Sequence, residues 1–155
     1  MKRTILLCML TMFMFALTLV AQPAALNYGE DYTTSDQVNS VTTVKVAPNR
    51  IDHYLAGLKR SWIPAAEIAK EMGLSKGYAI YVSELPESGD FNVVLLTTFE
   101  NAAQREKGSD LKTAAEFRKR VEQKMSQQQS FEVTEGYTKI RDIVGEYLLR
   151  EVKIK

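Results

Sequence analysis

Two hydrophobic rhythms alternate along the chain between residues 38 and 153, one of period two and one of about 3.6, and their order predicts its architecture. The stretch VNSVTTVKV, residues 38–46, is rich in β-branched side chains, alternates at Val44 and Val46 and stops at Ala47-Pro48, which predicts a strand. Asn49 then stands where a helix cap is wanted. Beyond it Ile51, Leu55, Leu58, Trp62, Ala65, Ala69 and Met72 recur at spacings of four and three, forming an apolar helix face ended by Gly73. Pro64 falls inside that helix, where it removes one hydrogen bond and crowds the carbonyl of Arg60. Because the stripe keeps its phase on both sides of the proline, one helix kinked between Arg60 and Pro64 is predicted.

Two further strands follow, over residues 76–85 and 91–99, joined by the turn formers Pro86, Ser88, Gly89 and Asp90 and therefore paired as a hairpin. A short helical turn is predicted near residues 101–107. A second long helix is predicted over residues 110–127, with Leu111, Ala114, Phe117, Val121 and Met125 on one side. The last strand lies within residues 138–153, where IRDIVGEYLLREV is apolar on both alternating sets. Strand, helix, strand, strand, helix, strand is the split βαβ order, so the fold class is α+β, a ferredoxin-like βαββαβ domain with a four-stranded antiparallel sheet. Right-handed crossovers put both helices on one sheet face. In the third strand, however, Phe91, Val93, Leu95 and Phe99 point one way while Val94 and Leu96 point the other. A second apolar face needs its own cover, and the simplest cover is the sheet of a second copy.

The start of the chain changes the picture of where the domain resides. Lys2 and Arg3 precede an uncharged apolar run from Ile5 to Val20, followed by Ala21, Ala24 and Ala25, which is a secretory signal pattern. Residues 1–21 are read as a signal peptide cleaved near Ala21, residues 22–37 as a flexible leader and residues 38–155 as the folded domain. The protein is accordingly expected to be exported, periplasmic or extracellular, and to meet a membrane only through the leader if that is uncleaved. Loss of Lys2 and Arg3 from 20 basic residues, against 19 acidic ones, leaves a net charge of about −1 and no footprint for nucleic acid. Cys8 is the only cysteine and lies in the leader, so the mature chain has neither disulfide nor thiolate chemistry.

Within this frame the stretch VTTVKVAPNRIDHYLAGLKRSWIPAAEIAKEMG, a strand beginning at Tyr78, and FNVVLLTTFEN resemble the dimeric α/β barrel superfamily, and within it a group of small exported bacterial proteins of unassigned activity. The resemblance spans about Val38 to Val152 and implies a homodimer packed sheet against sheet. The superfamily includes haem-degrading and cofactor-free monooxygenases, isomerases and ligand sensors, so it implies a fold and not a reaction.

Candidate chemistry is sparse. His53, the one histidine, sits beside the apolar stripe and not on it, which makes it a surface residue, and a zinc site built on His or Cys is excluded within one chain. No glycine-rich phosphate loop occurs, and no cofactor is expected. The carboxylates Glu84, Glu87 and Asp90 at the turn, and Glu67 and Glu71 on the first helix, read as solvated charges. Trp62, Tyr54, Tyr78, Tyr81, Asn92 and Tyr147 remain as an aromatic and polar set suited to line a cleft between helices and sheet. The function expected is binding of a small apolar or aromatic ligand. The alternative is a cofactor-free monooxygenase or isomerase acting on an aromatic or enolisable substrate, which would need a base of shifted acidity at the cleft.

Overall fold

A computed structural model describes residues 24–85, 87, 89–125 and 135–155. The elements, in chain order, are β1 (Tyr32–Thr34), β2 (Val38–Val46), α1 (Ile51–Arg60), α2 (Trp62–Glu71), β3 (Gly77–Val82), β4 (Val93–Phe99), α3 (Ala102–Lys107), α4 (Leu111–Lys124), β5 (Arg141–Leu149) and β6 (Val152–Ile154). Four strands form one antiparallel sheet in the order β3-β4-β2-β5. Numbered as the first to fourth strands of a βαββαβ unit, these run second, third, first, fourth, which is the ferredoxin-like order expected from the sequence. The signal and the cleavage region fall outside the described residues, as do Pro86 and Ser88 of the hairpin turn.

Strand register sorts the side chains onto two faces. Val44 lies opposite Val93, which lies opposite Val82, and Thr42, Leu95 and Ile80 form the next row. This face carries the core: Val44, Val46, Val93 and Leu95 pack under Tyr54 and Leu58 of α1 and Tyr137, with Ile51, Leu55, Trp62, Ile80 and Ile140 around them. Each fully buried side chain of this size contributes roughly 1.5–3 kcal/mol, so the cluster holds α1 to the sheet. Val94 and Leu96 point to the other face, as the alternation in residues 91–99 requires.

The break in the first helical region is sharper than a kink. Ser61 leaves helical geometry, with φ −127° and ψ −76°, so α1 and α2 are separate helices joined by one residue. The cause is the missing N–H of Pro64 together with its ring, which Arg60 must avoid. Asn49 does not cap α1. It takes a left-handed φ of 58°, and Arg50 occupies the cap position without a side-chain hydrogen bond. At the other end Gly73, φ 66°, donates to the Lys70 carbonyl while Leu74 donates to that of Ala69, a glycine-terminated helix end of the expected kind. Asn101 and Asp110 cap α3 and α4 by accepting from the N–H groups of Gln104 and Thr113. Helix α4 packs on α2. Its first apolar residue, Leu111, is 87% exposed and so lies off the packed stripe in which it was expected.

The segment read as a flexible leader is partly ordered. Residues 32–34 form β1 and pair with β6, Tyr32 opposite Ile154 and Thr34 opposite Val152, while the Ser35 N–H donates to the Glu151 carbonyl. Residues 32–34 and 152–154 thereby form a two-stranded ribbon that follows on from the β2–β5 pair. Between Thr43 and Val44 the β2–β5 register shifts: Gly145 faces Thr43 and Ile143 faces Val44, leaving Val144 as the extra residue of a β-bulge.

Candidate functional site

The sequence-derived set divides between the two sheet faces and does not line one cleft. Tyr54 is core, 2% exposed, with its ring edge-on to Tyr137 at 5.0 Å. Asn92 is also buried, and it is structural: its Oδ1 accepts from the Val46 N–H at 2.7 Å and its Nδ2 donates to the Val46 carbonyl at 2.8 Å. A side-chain amide there replaces the backbone partner that β4, beginning at Val93, does not supply to the end of β2. Trp62 and Tyr78 do meet, rings perpendicular and 5.3 Å apart, and the Tyr78 hydroxyl donates to Glu67 Oε1 at 2.6 Å. This trio joins α2 to the edge strand β3. Tyr81 and Tyr147 lie on the opposite face, 57% and 52% exposed.

Around the α1–α2 break a second group assembles that the sequence reading omitted. With the Ser61 N–H turned to the Leu58 carbonyl, the Ser61 hydroxyl donates to the Gly57 carbonyl at 2.9 Å and stands in for the helical bond. Its proton so committed, Ser61 Oγ accepts from the Tyr137 hydroxyl at 3.0 Å. The Tyr137 ring lies against Gly57 so closely that a Cβ there would sit 2.6 Å from its Cε1. Arg141 rests its guanidinium 5.4 Å above the same ring, and its Nε is buried with no hydrogen-bond partner among the described residues. A glycine in mid-helix was the one signal of this packing in the sequence, since helices rarely accept glycine without a close neighbour.

Acidities follow these surroundings. Burial pushes the Tyr54 and Tyr137 hydroxyls up from their ordinary value, against the opposing pull of the Arg141 charge. The hydrogen bond to Glu67 raises Tyr78 as well, with burial and the carboxylate charge adding to it. Asp110 is lowered by the N–H and hydroxyl of Thr113 that it caps. In all three tyrosines the protonated hydroxyl is favoured, and at Tyr78 and Tyr137 it also takes part in a side-chain hydrogen bond.

Two surfaces have shapes suited to binding. On the helix side a hollow of about 440 Å³ opens between α2 and α4, walled by Ala65, Ala114, Phe117, Val121 and Met125 and rimmed by Arg118 and Glu122. None of the six sequence-derived residues lines it, although Ala65 is one helical turn from Trp62. On the far side of the sheet Val41, Val94 and Leu96 form an apolar centre flanked by Tyr81 on β3 and by Tyr147 and Leu149 on β5. The Tyr147 ring folds back over Gly145, where a Cβ would come within 2.6 Å of its hydroxyl, so it lies along this face. Among the described residues no three of His, Cys, Asp and Glu gather as a metal site, and no helix is long and apolar enough to cross a membrane.

These features define an α+β protein with a four-stranded antiparallel sheet in ferredoxin-like order. No family model and no curated protein matches the chain. Among solved structures it is similar to HapK from Hahella chejuensis, with a TM-score of 0.43 and 7% identity over 74% of this chain and 91% of that one. It is also similar to a dimeric protein of unknown function and ferredoxin-like fold from Bacteroides fragilis NCTC 9343, with a TM-score of 0.39 and 9% identity over 79% and 99% of the two chains. A NIPSNAP-like domain protein from Burkholderia xenovorans gives a TM-score of 0.40 and 14% identity over 77% and 85%.

Proposed function

We propose that the protein is an exported homodimer, joined through the open sheet face, that binds a small apolar or aromatic ligand in the hollow between α2 and α4. The observation that carries the binding reading is the hollow itself: about 440 Å³, apolar walls and a charged rim, which is the size and composition of small-molecule sites. The homodimer reading is supported by the face of Val41, Val94 and Leu96, which no described element of the chain covers. Binding without chemistry is favoured over the monooxygenase or isomerase because, among the described residues, the displaced acidities are those of three tyrosines pushed up, towards keeping their protons, and of Asp110 pulled down at an exposed helix cap, and neither shift makes a better base.

The test of the ligand site uses Trp62, the one tryptophan, as reporter. Titration with aromatic acids, quinones, lipids and haem should give saturable quenching for at least one class. Val121→Trp, which fills the hollow, should abolish the response of the protein as judged by native mass spectrometry. A panel that fails both readouts rejects the binding reading. For the dimer, Leu96→Lys places a charge at the centre of the face and should convert a wild type that sediments as a dimer into monomer. A wild-type monomer at micromolar concentration rejects that half. Export predicts an amino terminus near Gln22 in the secreted protein, and an intact leader in membranes would contradict it.

A further inference from the structure

The two edges of the four-stranded sheet are not alike. Strand β5, at one edge, carries Arg141, Asp142 and Glu146 and is interrupted by its bulge, and charges and bulges are the usual guards against pairing with another chain. Strand β3, at the other edge, reads GYAIYV, with no charge, no proline, an unbroken register with β4 and no residue buried. Its amide directions follow from the hydrogen bond that continues its ladder, from the Ser83 N–H to the Asn92 carbonyl. Amides alternate along a strand, so Gly77, Ala79 and Tyr81 bond to β4, while Tyr78, Ile80 and Val82 turn their N–H and C=O groups outward from the sheet.

Charge says what fits this edge. Lys76 and Glu84 flank the strand, each four residues from Ile80, both exposed and neither in an ion pair among the described residues. An antiparallel copy related by a two-fold axis at Ile80 sets Lys76 against the partner's Glu84 at both ends of the contact. The same register makes hydrogen-bonded pairs of Ile80 with the partner's Ile80 and of Tyr78 with the partner's Val82, and these are the residues whose amides face outward. It also places Tyr81, 57% exposed, across from the partner's Ala79, a large side chain beside a small one, and Val82, 41% exposed, beside an aromatic ring. An axis at Ala79 or at Tyr81 loses both charge pairs, and a parallel arrangement brings like charges together. We propose that the free edge of β3 is a self-association surface that takes β3 of a second copy, antiparallel about Ile80. It does not rest on the sheet-face reading. A six-residue edge buries far less than the roughly 1,200 Å² at which lasting interfaces begin, so this contact forms at higher concentration, and where the face dimer exists it joins one dimer to the next.

Sedimentation from micromolar to millimolar concentration should show an association step beyond that of the sheet face. Lys76→Glu and Glu84→Lys should each weaken this step about tenfold, because two attractive pairs per contact become repulsive, and the two substitutions combined should restore it. Disulfides read the register, since the chain beyond the leader has no cysteine. Mild oxidation of Ala79→Cys mixed with Tyr81→Cys should link the two chains covalently, and either variant alone should link far less, because only the mixture sets the two sulfurs opposite each other. If the wild type has no step beyond the face dimer and the mixture links no better than either variant alone, the edge inference is overturned and the homodimer stands. A step that the charge exchanges leave unchanged overturns it as well. A disulfide specific to the mixture, in a protein whose wild type is monomeric at micromolar concentration, upholds the edge and rejects the face.

Discussion

Replacing Gly57 by alanine sets helix propensity against packing, and the structure decides which prevails. Gly57 lies inside α1, where alanine is ordinarily favoured by about 1 kcal/mol. The new methyl group, however, would stand 2.6 Å from Cε1 and 2.7 Å from the hydroxyl of Tyr137. The ring cannot swing away freely: it is edge-on to Tyr54, lies under Arg141 and is bonded to Ser61. Overpacking of this kind costs about 1–3 kcal/mol, and loss of the Ser61 hydrogen bond about 1 kcal/mol more. Gly57→Ala should therefore destabilise by about 1–3 kcal/mol net, measured by urea denaturation with the slope unchanged. The sharper test is a reversal of sign. In a Tyr137→Leu background the ring is gone and the same substitution should become stabilising by about 1 kcal/mol. Equal effects in both backgrounds, or a stabilising effect in the wild type, would refute the account of the α1–α2 break given above.

Asn92→Ala should cost about 2–5 kcal/mol, since it strands the buried Val46 N–H and carbonyl that Asn92 serves, and the loss should appear as a lower urea midpoint. The raised acidities of Tyr54, Tyr78 and Tyr137 predict alkaline lability: stability is fully present below the unfolded tyrosine value of about 10 and is lost as pH climbs through the higher folded values. Ultraviolet titration of the seven tyrosines should accordingly resolve a late-ionising group, and simultaneous ionisation of all seven near pH 10 would count against it.

How much was legible depended on whether the cause of each feature was local. Strand β2 matches the predicted bounds because alternation and the Ala47-Pro48 stop are both written in consecutive residues. The capped helix α3 and the Gly73 terminus were legible for the same reason. By contrast β1 reads as leader because its partner lies about 120 residues away, beyond any periodicity, and Tyr-Thr-Thr, though made of strand-favouring residues, is too short to show alternation. The phase of the apolar stripe survived the break at Ser61, so the pattern did not distinguish a kink from two helices. In the candidate site, an aromatic with a polar tip looked alike whether it faced a ligand or the core. Asn92 turned out to serve the end of β2, and Tyr54 the core. Tyr137 and Arg141 were overlooked because nothing near them in the chain marks the approach to Gly57.

The sheet order has a consequence for how the chain folds. Strand β2 is central, yet it is the first strand of the sheet to be made, and one of its two neighbours, β5, is almost the last, with Val41 paired to Tyr147. Such long-range pairing must meet its loop-closure entropy before any contact rewards it, which places folding on the slower side for a domain of this size. Until Arg141 and the residues after it emerge, β2 has a bare edge along Val38–Val46, a β-branched strand without proline. In that interval the half-made sheet can pair with a neighbouring chain instead of with β5, so the danger of misassembly is concentrated in the nascent protein, and Arg141–Leu149 act as its closing stitch.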